Sequence, residues 1–386
     1  MRERRYQLKK ETAGLVRHVP WLFRDHMSSA TAALGDGDRV KLFDGNNHVV
    51  GHGVYAADGA IAIRVVRAGE AAPDAAWLRA RLDAALHKRA ELAKQTTGVR
   101  LLHGESDSVP AIVADRFGDA VVVTSYATGF DGMARYVARW ASVHGGVAGP
   151  ASTVVVRRAH RRADAADDHP APRALRGALA VARFDEGPLA LHVDLAGGQK
   201  TGAYLDLRAL RREVAAAPLA GKRVLNLFAY TGMIGRAAEH AGAASILQVD
   251  ASAPALAFAQ AHHVTDPSKH AFETADVFDW LPAHAATYEL VIVDPPAMTS
   301  KAAQVPKVLA AYRSLYKAAA SCVAPGGQLV AACCTSRVPR DAFRTTVAGA
   351  LGAGFAHVKE LPPEPDHPVG FPQADYLKIH TWRRTS

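Results

Sequence analysis

Two adjacent cysteines close a short apolar run near the end of the sequence. Cys333 and Cys334 lie in the segment Ala-Ala-Cys-Cys-Thr-Ser, residues 331–336. A thiolate that adds to carbon 6 of a pyrimidine makes an enamine, whose carbon 5 can attack a methyl sulfonium before a base removes the carbon 5 proton. Adjacent strand residues face opposite sides, so at most one cysteine should enter a site. Unpaired cysteines are also common as inert buried side chains, as predicted for Cys322.

An acid followed by two prolines ends another apolar run, in Asp294-Pro-Pro-Ala-Met298. Paired prolines fix an extended, rigid exit from a strand, which would hold the carboxylate against a planar substrate. An aromatic residue after the prolines would favour methylation of an exocyclic amine, but position 297 is alanine. We predict that Asp294 is catalytic and that Asp294 and Pro295 also border a cofactor.

A glycine-containing loop, Phe228-Ala-Tyr-Thr-Gly-Met-Ile-Gly235, follows an earlier apolar run. Gly232 permits close backbone approach, and Gly235 permits tight helix packing. Tyr230 stands where a dinucleotide fingerprint has its first glycine, so its side chain disfavours NAD. S-adenosylmethionine has no phosphate and tolerates this loop. The predicted cofactor contacts from the loop are Phe228, Tyr230, Thr231 and Gly232.

Acids follow three successive strand-like runs of this region. Asp250 stands where an acid accepts the ribose hydroxyls of a nucleoside, and Asp276 could receive the adenine amino group. Each acid alone could be a helix N-cap, but their occurrence after strands two, three and four favours a cofactor site. The neighbouring Ala251 and Val277 complete the predicted contacts, and no metal site is predicted.

The elements that must position these residues alternate between buried strands and helices from about residue 190. Such alternation is typical of a doubly wound α/β domain with a mostly parallel sheet, which binds ligands beyond the carboxyl ends of its strands. A late, antiparallel strand is expected over residues 376–383. The predicted strands before it are residues 223–228, 245–250, 270–274, 288–294 and 328–333.

The first half of the sequence has a different organisation. Residues 1–70 read as a small β-rich unit with turn residues between alternating stretches. An amphipathic helix over 75–95 and a further α/β region follow, with a polar, proline-containing linker near 160–173. We therefore predict three domains, with residues 1–70, 71–190 and 191–386.

The composition is that of a globular protein, with 49% hydrophobic and 22% charged residues. The three cysteines form no disulfide framework or zinc motif, which fits a reducing compartment. The charged N-terminus lacks the apolar stretch of a signal peptide, and no run approaches the roughly 20 apolar residues of a membrane span. We expect a cytoplasmic protein without a membrane partner. A net charge of +9 would attract polyanions or simply aid solubility.

Taken together, these residues resemble the RlmI-type RNA cytosine-C5 methyltransferases, which modify large-subunit ribosomal RNA. The resemblance covers nearly the whole chain, and its most specific stretch is Lys200-Thr-Gly-Ala-Tyr-Leu-Asp-Leu-Arg208. Further matching segments are Pro20-Trp-Leu-Phe23, Gly37-Asp-Arg-Val-Lys-Leu-Phe-Asp44, Asp115-Arg-Phe-Gly118, Leu225-Asn-Leu-Phe-Ala-Tyr-Thr-Gly232, Val293-Asp-Pro-Pro-Ala-Met298, Asp366-His-Pro368 and Tyr376-Leu-Lys378.

The resemblance implies an N-terminal PUA domain, a small α/β middle domain and a class I methyltransferase domain with a seven-stranded sheet. It implies S-adenosylmethionine as cofactor, 23S ribosomal RNA as partner, and Cys334 as the nucleophile at the centre of the family's Ser-Cys-Ser motif. The sequence departs from the family at an inserted Val19, and at Cys333 and Thr335, which replace the flanking serines. The second departure bears on the target base.

The sequence leaves several interpretations of function and of residue roles open. Lys200, Tyr204, Arg208 and Lys301 are candidate substrate-binding residues that could hold phosphate or base, or be solvated surface. The same scaffold could methylate another RNA position such as guanine N7, which would not need Cys334. The chain could instead be a non-catalytic RNA-binding or ribosome-assembly factor. A small-molecule methyltransferase would leave the first 190 residues without a role. A homodimer is compatible with the sequence, which does not specify the oligomeric state.

Overall fold

A computed structural model describes residues 3–27, 34–144, 150–159, 171–299 and 301–385. The chain forms two units, the first comprising residues 1–205 and 365–371 and the second residues 206–364 and 372–386. The predicted linker falls outside the described residues over 160–170, and Arg173 already belongs to a strand. The predicted domain boundaries near residues 70 and 190 stay predictions.

The N-terminal part of the first unit is β-rich, as its alternating stretches predict. Its elements are β1 (Glu3–Gln7), α1 (Lys10–Leu15), β2 (Trp21–Phe23), β3 (Arg39–Phe43), β4 (Val49–Tyr55) and β5 (Ile61–Ala68). They form one sheet in the order β1-β3-β4-β5-β2, in which only the β1–β3 pair is parallel among the described strands. Leu22, Leu42 and Ile63 are fully buried in its core.

The rest of the first unit contains a second five-stranded sheet and a separate hairpin. In the sheet, each strand lies next to the strand that follows it in the sequence. The sheet and its helices are α2 (Ala75–Lys88), β6 (Gly98–His103), β7 (Ile112–Phe117), β8 (Ala120–Ser125), α3 (Asp131–His144), β9 (Thr153–Arg158) and β10 (Arg173–Arg176). The hairpin consists of β11 (Val181–Glu186) and β12 (Leu189–Asp194). The strands β6 and β9–β12 were not predicted from the sequence.

Helix α2 ends at Lys88, earlier than the expected residue 95. The side chain of the next residue, Arg89, is completely buried and donates to the carbonyl oxygen of Ala85 at 3.0 Å. Its guanidinium also binds both carboxylate oxygens of Asp107. This side chain satisfies a carbonyl group of the last turn, so the helix can stop there. A short 3₁₀ turn over Leu92–Lys94 follows.

Three motifs of the sequence meet in one buried polar network of the first unit. Asp115 binds Arg100 through two bonds of 2.8 Å and accepts a bond of 2.6 Å from the Thr201 hydroxyl. The Arg100 backbone N–H donates to Asp366 at 2.9 Å. Both aspartates are completely buried. Because a buried charge needs partners, these contacts give Asp115, Thr201 and Asp366 a structural role.

The second unit is the predicted doubly wound domain. Its elements are α4 (Arg208–Ala215), β13 (Arg223–Leu227), α5 (Met233–His240), β14 (Ser245–Asp250), α6 (Ala253–His262), β15 (His270–Thr274), α7 (Val277–Trp280), β16 (Tyr288–Val293), α8 (Val305–Ser321), β17 (Val323–Cys333), α9 (Arg340–Leu351), β18 (Phe355–Leu361) and β19 (Lys378–Arg384). The sheet order is β15-β14-β13-β16-β17-β19-β18.

The predicted seven-stranded, mostly parallel sheet is confirmed. Strands β13 to β17 are parallel, and the late strand β19 is antiparallel to both of its neighbours. Strand β18, which was not predicted, is an edge strand whose side chains are mostly exposed, so it lacks an apolar run. None of the described helices has both the length and the apolar character needed to span a bilayer.

A buried histidine of β19 should make the stability of the protein depend on pH. His380 is 1% exposed, and burial lowers its pKa from 6.5 to about 4. The unfolded chain then binds more protons than the folded one between these values, so stability is lost as pH falls through this window. We expect the free energy of unfolding to be about 2 kcal/mol lower at pH 5 than at pH 7.

Urea denaturation of the wild-type protein and of His380→Gln at both pH values checks this expectation. The variant lacks the titrating ring and should lose most of the difference in unfolding free energy between the two pH values. The same pH dependence in both proteins would rule out His380 as its source.

Candidate functional site

The carboxyl ends of three neighbouring strands lie at one edge of the second unit's sheet. Leu227 at the end of β13 pairs with Val293 of β16, which pairs with Ala331 of β17. The chain segments that leave these strands carry the loop after residue 227, the Asp-Pro-Pro motif and the two cysteines. The topology therefore brings together the three segments predicted to do chemistry.

The loop after β13 has an unusual backbone. Phe228 and Tyr230 have φ angles of 59° and 48°, in the left-handed region that disfavours side chains, and Gly232 has a φ of 74°. The Tyr230 N–H donates to Asp250 at 2.8 Å, and Nδ1 of buried His263 donates to the Thr231 carbonyl at 2.5 Å. Strain of this kind persists only where surrounding contacts enforce it, and it is concentrated at ligand-binding loops.

The two glycines of this segment pack closely against neighbouring elements. A Cβ on Gly232 would lie 2.7 Å from the Cβ of Ala259, and one on Gly235 would overlap the Gln248 side chain. Thr231 is buried beside them. The loop is thus a close-fitting backbone turn between β13 and α5, in which larger side chains would displace β14 or α6.

Asp250, the last residue of β14, and Asp276, which follows β15, both accept hydrogen bonds from backbone N–H groups. Asp250 is half-buried and accepts bonds of 2.8 Å from the N–H groups of Tyr230 and Ser252. Asp276 is exposed and caps α7 by accepting from the Phe278 N–H at 2.9 Å. Of their neighbours, Ala251 is exposed, whereas the Val277 side chain is in the core. The predicted cofactor contacts of all four residues stay predictions.

An aromatic pair beside this loop was missed by the sequence reasoning. Phe278 is 40% exposed, and its ring packs edge-on against that of Phe228 with a centroid distance of 5.5 Å. An exposed aromatic ring next to a capping acid offers an apolar face to a planar ligand. The signal in the sequence is the aromatic residue two positions after Asp276, at the start of a helix.

The two adjacent cysteines occupy different environments. Cys333 is completely buried among core side chains, and burial raises the pKa of its thiol. Cys334 is half-buried, and its Sγ lies 3.4 Å from the carbonyl oxygen of Pro295. Cys322, at the end of α8, is also buried in the core. Cys334 is therefore the cysteine that lies next to the Asp-Pro-Pro motif, and its neighbour is a core residue.

Thr335 joins the exits of β16 and β17. Its hydroxyl oxygen accepts a bond of 3.1 Å from the Met298 N–H and lies 3.0 Å from the Tyr312 hydroxyl. The Asp294 N–H, at the start of the same motif, donates to the Leu227 carbonyl at 3.5 Å. These contacts fix Asp294, Pro295 and Cys334 relative to one another. Threonine supplies the hydroxyl that a serine at position 335 would supply.

The predicted substrate-binding residues are in different settings. In the second unit, Arg208 is buried and forms an ion pair of 2.8 Å with Glu364, while Lys301 is exposed before α8. In the first unit, Lys200 is exposed and its Nζ lies 4.6 Å above the Tyr204 ring. The contact with Glu364 is structural, and the expected contacts of all four residues with phosphate or base stay predictions.

Two family models match the chain. A model described as S-adenosylmethionine-dependent methyltransferase matches residues 135–379. A model described as PUA-like domain matches residues 8–67. The first match spans the strained loop, the acids, the Asp-Pro-Pro motif and Cys334.

Curated relatives match along nearly their whole lengths. A "Ribosomal RNA large subunit methyltransferase" from Deinococcus radiodurans is 32% identical over 381 residues, which cover 93% of this chain and 92% of the relative. A "Ribosomal RNA large subunit methyltransferase I" from Shewanella denitrificans is 31% identical over 383 residues, covering 94% and 95% of the two chains.

Solved structures share the fold. A protein assigned as a SAM-dependent methyltransferase from Streptococcus mutans superposes with a TM-score of 0.81 at 21% identity, covering 98% of this chain and 100% of the other. A second assigned methyltransferase, complexed with SAH, gives a TM-score of 0.79 at 22% identity and the same coverage.

Proposed function

Because the chain belongs to the S-adenosylmethionine-dependent ribosomal RNA large subunit methyltransferases, we propose that it forms 5-methylcytosine in 23S ribosomal RNA through a covalent adduct of Cys334. The observation that carries this proposal is the place of the Cys334 sulfur. It is half-buried at the carboxyl end of β17, 3.4 Å from the carbonyl of Pro295, whereas Cys333 is in the core.

The residues around the strained loop fit the cofactor. The backbone turn at residues 228–232, the exposed ring of Phe278 and the capping acids Asp250 and Asp276 combine an apolar face with hydrogen-bond acceptors, as an adenosine moiety requires. These residues, with Ala251, Val277 and Pro295, would hold S-adenosylmethionine. When bound, the cofactor supplies an electrophilic methyl group at its sulfonium.

The Cys334 thiolate would act first, by forming a bond from Sγ to carbon 6 of the cytosine. The electrons of the 5,6 double bond are then available at carbon 5, which takes the methyl group. Loss of the carbon 5 proton to a base and breakage of the bond to Sγ restore the aromatic ring and the free thiolate. Asp294, on the neighbouring strand exit, would accept from the exocyclic amine, a contact that favours cytosine over uracil.

Incubation of the protein with 23S ribosomal RNA and methyl-labelled cofactor, followed by nucleoside mass spectrometry, tests the proposal. We expect the label in 5-methylcytidine. Label in 7-methylguanosine would overturn the proposed chemistry and favour the guanine N7 reading. Cofactor binding without transfer to any nucleoside of the RNA would favour a non-catalytic assembly factor.

The basic PUA-like region should make RNA binding depend on salt. Lys9 and Lys10 are exposed at its start, and contacts of lysines with phosphates release counterions on binding. We expect RNA affinity to fall at least about tenfold between about 50 and 200 mM salt. Filter binding across this range measures the slope.

A charge-removing variant and a charge-keeping one separate electrostatics from packing. The double substitution Lys9→Gln and Lys10→Gln should flatten the salt dependence, whereas Lys9→Arg and Lys10→Arg should leave it unchanged. A salt response that is flat in the wild-type protein would remove phosphate contact as the role of this region.

A further inference from the structure

Lys378, at the start of β19, has its ammonium group inside the second unit. The residue is 1% exposed, and Nζ donates to the carbonyl oxygens of Thr335 at 3.3 Å and Tyr376 at 3.2 Å. Both acceptors are neutral, and Asp375 acts on the ammonium electrostatically without forming an ion pair with it among the described residues. A buried ammonium without an anion is costly, so its place in the fold calls for a function.

The ammonium lies beside the turn that carries Cys334. Lys378 pairs with Cys333 across the antiparallel strands β17 and β19, and its side chain reaches on to the carbonyl of Thr335. The chain passes through Cys334 between these two points. Lys378 also interacts electrostatically with the buried Cys333 thiol, with Asp375 and, less strongly, with the Cys334 thiol. A thiolate on Cys334 would therefore form close to a positive charge whose two hydrogen-bond acceptors are both neutral.

None of the other titratable groups described below offers a free positive charge to a Cys334 thiolate. Asp375 also acts on Lys378, but its carboxylate is bound by the Arg340 guanidinium through two contacts, and Arg340 also binds Glu360. Burial raises the pKa of the hydroxyls of Tyr312 and Tyr316 and of the Cys333 thiol, which stay neutral. Asp294 is an acid and would oppose a thiolate. Burial lowers the pKa of Lys378 itself, and a neighbouring anion would reverse that effect.

We propose that Lys378 is a positioning residue for Cys334, fixing the turn at residues 333–335 and supplying the positive charge against which the thiolate forms. This inference rests on the proposed role of Cys334 as nucleophile. The thiol proton leaves to solvent, because Cys334 is only half-buried, and the Sγ electron pair then forms the bond to carbon 6. The thiolate that leaves at the end of the reaction meets the same ammonium group.

The pH dependence of Cys334 alkylation by iodoacetamide tests this proposal. Fragmentation mass spectrometry distinguishes modified Cys334 from Cys333 in the same peptide. We expect a midpoint below the ordinary thiol value of about 8.5 in the wild-type protein. Lys378→Met should raise the midpoint by about one pH unit, a tenfold loss of thiolate near neutral pH, and Lys378→Arg should restore most of it.

Two controls keep the measurement specific. Lys359 lies on β18, the strand next to β19, and forms an exposed ion pair with Glu213. Lys359→Met removes this positive charge and should leave the alkylation midpoint of Cys334 unchanged. Methionine is similar in length to lysine and apolar, so Lys378→Met should fold, as thermal unfolding and cofactor binding would show. If Lys378→Met does not fold, the test uses the alkylation midpoint of Cys334 in the wild-type protein. A midpoint at or above that of an ordinary thiol overturns the proposal.

The outcomes separate the two proposals. An unchanged midpoint in folded Lys378→Met, together with loss of methyl transfer in Cys334→Ala, overturns the role of Lys378 and leaves the proposed function intact. Retained methyl transfer in Cys334→Ala overturns the nucleophile, whatever the titration shows. A raised midpoint in Lys378→Met, with an acid limb of kcat shifted by the same amount, supports both.

Discussion

Cys334→Ala should abolish methyl transfer to RNA while leaving the affinity for S-adenosylmethionine within about twofold of the wild-type value. Carbon 5 of cytosine is a poor nucleophile until a thiolate has added to carbon 6, so removal of the sulfur removes the route to the methylated base. We expect turnover to fall at least about a thousandfold, a loss of about 4 kcal/mol of transition-state stabilisation. Labelled-methyl incorporation and calorimetric cofactor titration measure the two quantities.

Cofactor binding should survive because the predicted contacts lie mainly on the segments that follow β13, β14 and β15. Cys334 Sγ contacts the carbonyl of Pro295, which follows a different strand, β16. The matched control is Cys333→Ala, which removes a thiol from the adjacent position in the core. It should cost about 1 kcal/mol of stability and keep most of the activity. Near-normal turnover of Cys334→Ala would exclude covalent catalysis by this residue.

Asp250→Ala should weaken the affinity for S-adenosylmethionine about a hundredfold. Its carboxylate holds the strained loop through the Tyr230 N–H and the following turn through the Ser252 N–H. It is also the predicted acceptor of the ribose hydroxyls. Loss of hydrogen bonds to a charged group costs about 1.5–3 kcal/mol each, and the loop would then relax from its left-handed backbone.

The control for this prediction is an acid with a similar local role outside the predicted site. Asp266 is a half-buried N-cap whose carboxylate accepts from the Ser268 N–H at 3.1 Å. Asp266→Ala should leave cofactor affinity unchanged and lose about 1 kcal/mol of stability with its cap. Asp250→Ala should lose more stability, because its carboxylate accepts two backbone hydrogen bonds. Equal cofactor affinities of Asp250→Ala and wild type, measured by calorimetry, would show that Asp250 is only a structural cap.

Much of the second unit could be predicted from the sequence because its strands are continuous apolar runs. A strand such as β16, whose residues are almost all buried, is recognisable without knowledge of its neighbours. Strand β18 could not be recognised, because an edge strand with exposed side chains carries no apolar pattern. The early end of α2 was also hidden, since it depends on a side-chain pair between Arg89 and Asp107 that periodicity does not encode.

For the site, the sequence indicated which residue types could react but not which side chains support them. The strand register predicts that only one of two adjacent cysteines faces a site, and the structure places Cys333 in the core. The bond between Tyr312 and Thr335 joins residues 23 positions apart. Arg208 resembles a phosphate ligand in the sequence, yet its partner Glu364 lies 156 positions away. Such pairs are set by tertiary packing.

The short segment of residues 365–371 limits how the two units can be expressed separately. It belongs to the first unit, although the residues on both sides of it belong to the second. A fragment that stops at residue 205 would lose Asp366, and with it the acceptor for the Arg100 backbone N–H in a buried position. Expression of the first unit alone would therefore need this heptapeptide to be joined to it or added as a separate peptide, because neither unit is one continuous stretch of the sequence.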